Sequence, residues 1–202
     1  MTISRPVGRR PSSGRVFGYI GAGGGLTVAL LAAAVRATGA TAGQSRAEGA
    51  AGSVAFGVVL ATPALLAVIG LLTGRFRMLA GAAIGCLAVA PISVLIVPMV
   101  IPAALLLIAF ARGGEPPEDQ GAQTLLTVGA AITPLVAAVG LLLFGMKPYT
   151  SAFAGGSEQG SFVPAAHAYL AIALAGADLA LTTLAATTRR TQPNHLNFFH
   201  AR

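Results

Sequence analysis

Charge is confined to a few short stretches of this 202-residue chain. Val16–Val35, Gly49–Gly74, Met78–Ala111 and Gln120–Met146 contain no Asp, Glu, Lys or Arg, and Gln159–Thr188 contains one, Asp178. Runs of this kind limit what the chain can fold into. About 20 apolar residues in a helix span the ~30 Å hydrocarbon core of a bilayer, and in lipid a helix satisfies its backbone groups internally. With 55% hydrophobic and 9% charged residues, too little polar surface remains to solubilise a chain of this size. The expected fold is an all-α membrane protein, a multi-pass transmembrane helical bundle.

Four of the runs read as ordinary spans. The third, residues 78–111, would make a straight helix about 51 Å long, and it carries Pro91, Pro98 and Pro102. Each proline removes a helical hydrogen bond. A hairpin fits better, with one arm over Met78–Ala90, a turn over Pro91–Val97 and a second arm over Pro98–Ala111. The expected segments are therefore about 16–35, 51–74, 78–90, 98–111, 123–146 and 163–188, between a basic tail at 1–15 and a second tail at 189–202. This gives four long helices plus a proline-rich helical hairpin.

The basic residues choose between six segments and the alternative of five. With five crossings and the N-terminus inside, seven basic residues lie inside and six outside. If residues 78–111 turn back, ten lie inside and only Arg36, Arg46 and Lys147 outside. Cytoplasmic loops are enriched in Lys and Arg, so six segments with both termini cytoplasmic are favoured. The weak point is arm length, since 13 or 14 residues reach only ~20 Å, which makes the hairpin re-entrant. Arginine far outnumbers lysine, and Ala and Gly dominate, the composition of a high-GC bacterial genome. The expected location is the bacterial plasma (inner) membrane. Arg9-Arg10 does not continue as an export signal, and the apolar run after it exceeds the ~7–15 residues of a signal-peptide core, so it reads as an uncleaved first helix.

Several chemistries find no support. The net charge of +7 caps apolar segments and forms no basic patch with interleaved aromatics, so nucleic acid is not an expected partner. The glycines at 21 and 23–25 do not complete G-x-G-x-x-G, because Leu26 stands where the last glycine belongs, and no strand precedes them. The lone Cys86 cannot form an intrachain disulfide and reads as a small packed hydrophobe. Glu115, Glu118 and Asp119 read as a solvated loop, Tyr149 and Phe153 as interfacial anchors, and the His195 and His200 tail as unstructured. No hydrolase triad, zinc or P-loop pattern occurs, so neither an enzyme nor a cofactor is expected.

Two features remain. Small residues Gly14, Gly18, Gly21, Ala22, Gly25, Ala29, Ala32 and Ala33 share one face of the first helix, a helix-packing seam in which Gly18, Gly21 and Gly25 permit close backbone approach. Asp178 lies about 16 Å along its helix from Arg189, near the midplane. Such a residue is costly in a bilayer and should face protein or water. His167 lies only about 20° away around the helix, and Thr182 is one turn further on, so the three form a candidate intramembrane polar site. An echo between Thr62-Pro63 through Gly74-Arg75 and Thr133-Pro134 through Met146-Lys147 resembles an inverted repeat, but in a chain so rich in Ala, Gly and Leu it reads as compositional. The first functional expectation is a small non-catalytic membrane protein, set in the lipid bilayer and assembling as a homo-oligomer or within a larger membrane complex. The alternative is a small transporter or channel using Asp178.

Overall fold

The structure, a computed structural model, describes residues 13–38, 46–92, 96–113, 120–153 and 156–187. Six helices account for most of them: α1 (Ser13–Thr38), α2 (Arg46–Thr73), α3 (Arg77–Val89), α4 (Ile96–Ala111), α5 (Gln120–Phe144) and α6 (Ala165–Thr187). A 3-10 turn, Ala90–Ile92, follows α3. Helices α1, α2, α5 and α6 are long and apolar enough to cross a membrane. The all-α bundle expected from the sequence is the architecture observed. The tail arginines before Ser13, the acidic loop residues Glu115, Glu118 and Asp119, and everything after Thr187 lie outside the described residues.

Neighbouring helices run in opposite directions, and their close approaches show it. On α1 and α4, Gly14 lies against Ala109 and Arg112, Gly21 against Leu105 and Leu106, and Gly24 against Pro102. On α1 and α2, Gly18 faces Leu71, Gly25 faces Ala64 and Gly57 faces Ala33. By contrast α2 and α6 run parallel, with Gly52 beside Val163 at one end and Arg75 bonded to Ala186 at the other. One end of the bundle thus gathers the start of α1, the turn between α2 and α3, the end of α4 and the end of α6. We call this the Arg75 end.

The turn between α2 and α3 is built by Gly74, whose φ of 70° is left-handed and cheap only for glycine. The Arg75 N–H donates to the Gly70 carbonyl at 2.7 Å, the closing bond of a glycine-terminated helix. From there α3 runs into the centre of the molecule. It packs on α2, α4, α5 and α6, and most of its side chains are buried.

Helices α3 and α4 form the expected hairpin. Phe76, just before α3, lies against Gly113, just after α4. The tip of the hairpin reaches only partway: Val89, Ala90 and Met99 share a core cluster with Phe56, Val59 and Leu60 of mid-α2. At 1.5 Å per residue, α3 is about 20 Å long and α4 about 24 Å, against about 42 Å for α2. The hairpin enters from the Arg75 end and turns back near half depth.

One element departs from the expected loop between α5 and α6. Strands β1 (Lys147–Phe153) and β2 (Gly156–Phe162) pair antiparallel, with Lys147 opposite Phe162 and Phe153 opposite Gly156. Tyr149, Thr150 and Phe162 are good strand formers, but the Gly and Ser of β2 hide the pattern in the sequence.

Candidate functional site between α3, α5 and α6

Three helices converge at Gly81. A Cβ there would stand 3.2 Å from the Ala131 Cβ, 3.7 Å from the Thr127 carbonyl oxygen and 4.0 Å from Thr182 Cγ2. The missing side chain lets α3 settle against α5 and α6 at once. One turn further on, Gly85 does the same between Pro63 of α2 and Leu135 of α5, where a Cβ would meet atoms at 3.2 and 3.3 Å. The two proline helices of the sequence echo, which run in opposite directions, therefore flank α3 at one level.

The buried face of α6 is Ala168, Ala171, Ala175, Asp178, Thr182 and Ala186. Alanines keep the helix close to its neighbours, and Asp178 and Thr182 are carried inside with no exposed surface. Neither carboxylate oxygen of Asp178 has a hydrogen-bond partner, and neither does Thr182 Oγ1. Other buried hydroxyls behave differently. Ser53, Thr62 and Thr127 each donate to a carbonyl one turn back in their own helix, at 2.8 to 2.9 Å, the usual arrangement for such residues within a helix. A buried polar group without a partner costs about 1–3 kcal/mol and calls for an explanation.

Among the described residues, two further side chains bury an unpartnered polar atom: Thr124 through Oγ1 and His167 through Nδ1. The stripe read from the sequence thus supplies three of the four residues. The structure does not bring all of them together. His167 sits beside Gly145, at the far end of α5, about 16 Å along α6 from Asp178. Ala171 and Ala175 lie between them in a purely apolar core cluster. Asp178 and Thr182, one turn apart, form the compact pair.

The glycine seam also has a definite place. Gly18, Gly21 and Gly25 are buried, and added Cβ atoms would stand 2.6 Å from Leu71, 3.1 Å from Leu106 and 3.1 Å from Ala64. The seam packs α1 onto α2 and α4 of the same chain.

Two contributors were not picked out from the sequence. Arg75 donates from Nη1 to the Ala186 carbonyl at 2.8 Å, placing a cation on the last turn of α6, where the helix dipole favours one. Thr124 belongs to a helix whose pairing with α6 no local pattern discloses. Compared with known proteins, the chain matches no family model, no curated protein and no solved structure.

Proposed function

We propose that this chain is a non-catalytic multi-pass membrane protein whose work is lateral assembly, in the first place with a second copy of itself. The observation that carries this reading is the outer face of α5. Gly129, Thr133 and Ala137 are exposed and Gly140 is half-exposed, and successive steps of three and four residues keep them within about 80° of the helix circumference. Bulky Leu125, Leu126, Leu143 and Phe144, also exposed, bracket this stretch, and exposed Val136 walls it along one side. A lipid-facing helix gains nothing from such a notch, whereas two helices approach closely through one, and small residues four apart are the usual means. A two-fold contact would present the same notch from both sides.

The same reading places the Arg75 end in the cytoplasm of a bacterial plasma membrane. Both described chain ends leave from that side, and with six segments ten basic residues would fall there against Arg36, Arg46 and Lys147 opposite, which agrees with the positive-inside bias. The α3–α4 hairpin is then re-entrant from the cytoplasm.

The test uses the empty space beside the notch. Nothing lies within 4 Å of a Cβ added at Gly129 or Gly140, so Gly129→Leu and Gly140→Leu should leave the single chain folded. The full chain is purified in mild detergent and in lipid nanodiscs, and its mass is measured alongside thermal unfolding. The expected result is a wild-type oligomer and leucine variants that run as monomers with an unchanged melting temperature. A wild-type monomer, or variants that assemble like the wild type, would sink the reading. A different protein co-purifying through the same face would transfer the assembly to a larger membrane complex.

A further inference from the structure

Asp178 is a costly residue to bury and takes no part in the assembly face. Both its oxygens are buried and unpartnered. Among the described residues, the groups able to answer its charge are all remote. Between Gly49 and Gly74 α2 has no charged residue, and Arg46 and Glu48 stand at its far end. Helix α3 offers only Arg77 at its first residue and the buried thiol of Cys86. Helix α5 has no titratable side chain, and on α6 itself His167 and Tyr169 lie beyond the buried Ala171 and Ala175. Arg75 is bonded to Ala186, about 12 Å along α6 from Asp178.

An ionised carboxylate in this position would keep a penalty of several kcal/mol with nothing to offset it. A neutral carboxylic acid avoids that penalty and gains an O–H donor. A divalent ion fits less well. Calcium takes 6–8 oxygens and magnesium an octahedron, whereas the side chains of the seam offer the two Asp178 oxygens and Thr182 Oγ1, and no group of three metal-ligating side chains occurs among the described residues.

Access also has a direction. Toward the Arg75 end the next residue on the buried face of α6 is Thr182, whose hydroxyl has no hydrogen-bond partner and whose Cγ2 methyl lies 4.0 Å from where a Cβ on Gly81 would stand. Thr124, on α5, adds another free hydroxyl in the half of the bundle that holds the Arg75 end. Pro134 removes the helical donor of the Ala130 carbonyl, next to Ala131 at the Gly81 meeting point. Toward the opposite end the buried face of α6 continues with Ala175, Ala171 and Ala168, all fully buried and without a polar side chain.

We propose that Asp178 and Thr182 form an intramembrane proton-binding site: Asp178 carries its proton at neutral pH and exchanges it with water from the Arg75 end, past Thr182. Intramembrane acids that face protein in this way are the usual carriers of proton movement. The site stands apart from the α5 notch, so either can fail without the other.

Infrared spectroscopy of the full chain in lipid nanodiscs provides the test. Asp119 and Asp178 are the two aspartates, so carbon-13 labelling of aspartate side chains marks few groups. The expected spectrum at neutral pH has a protonated-carboxyl stretch that moves with the isotope, is absent in Asp178→Asn, and shifts when the intact protein is placed in deuterium oxide. Thr182→Val should slow that deuterium shift severalfold, and His167→Gln should leave its rate unchanged. A spectrum without a protonated band overturns the proposal, as does a band that never shifts in deuterium oxide. An exchange rate slowed by His167→Gln and indifferent to Thr182→Val overturns the assigned route. If Asp178→Asn does not fold, the isotope and deuterium shifts of the wild type still show whether an aspartic acid holds a proton and exchanges it.

Discussion

Asp178 sits on a helix face otherwise made of alanines and one threonine, so volume there matters as much as charge. Asp178→Leu forces a larger branched side chain into a seam sized for small ones, an overpacking worth about 1–3 kcal/mol. Asp178→Asn keeps the shape and should cost clearly less. Detergent-titration unfolding of the two variants measures the difference, and equal losses would mean that the carboxyl group itself, and not the space, holds the helices together. The stripe of His167, Asp178 and Thr182 was legible in the sequence because residues eleven and four apart fall on one side of a helix. Its division was not. Whether alanines between two polar residues face a crevice or a dry core depends on which helices cover them, and that is long-range information. For the same reason the unpartnered Thr124 carries no local signal: its environment is set by α5 packing on α6.

At the scale of elements, α1 shows how sharply a helix distinguishes its faces. A Cβ added at Gly21 would stand 3.1 to 3.2 Å from Leu105 and Leu106, while nothing lies within 4 Å of one added at Gly23. Gly21→Leu should lower thermal stability by ~1–3 kcal/mol or more through forced separation of α1 from α4, and Gly23→Leu should leave it unchanged. Equal melting temperatures for the two variants would dissolve the seam. Helix α6 depends on a distant residue at its end: Arg75→Met removes the cation and donor from its last turn and should cost about 1 kcal/mol, read as earlier unfolding of α6 by hydrogen exchange. The seam on α1 could be read from glycine spacing alone. The β1–β2 ribbon could not, because Gly156, Ser157, Gly160 and Ser161 have little strand preference of their own and are held by pairing with β1.

On the scale of the whole molecule, the α3–α4 hairpin fixes which side each later segment occupies. Reporter fusions after Arg112 and after Arg190 should both report the cytoplasm, and one placed between β1 and β2 the opposite side; a fusion after Arg190 on the far side would restore five crossings. This turn was legible because three prolines and a lopsided basic count pointed to it together. Its half-depth reach was only hinted at by arm length and needed the packing of Val89 and Met99 on mid-α2. The parallel pairing of α2 with α6 has a consequence in time. Helix α2 rests on α1 and α3, which are its sequence neighbours, but its α6-facing side waits for the final helix. At ~5–20 residues per second of synthesis, that side stays uncovered for roughly 6–23 s after α2 is complete. A chain stopped before Ala165 never covers it, and Arg75 never finds its carbonyl. Such fragments should be cleared by membrane proteolysis far faster than the full chain, which makes the arrival of α6 the event that commits the protein to survival.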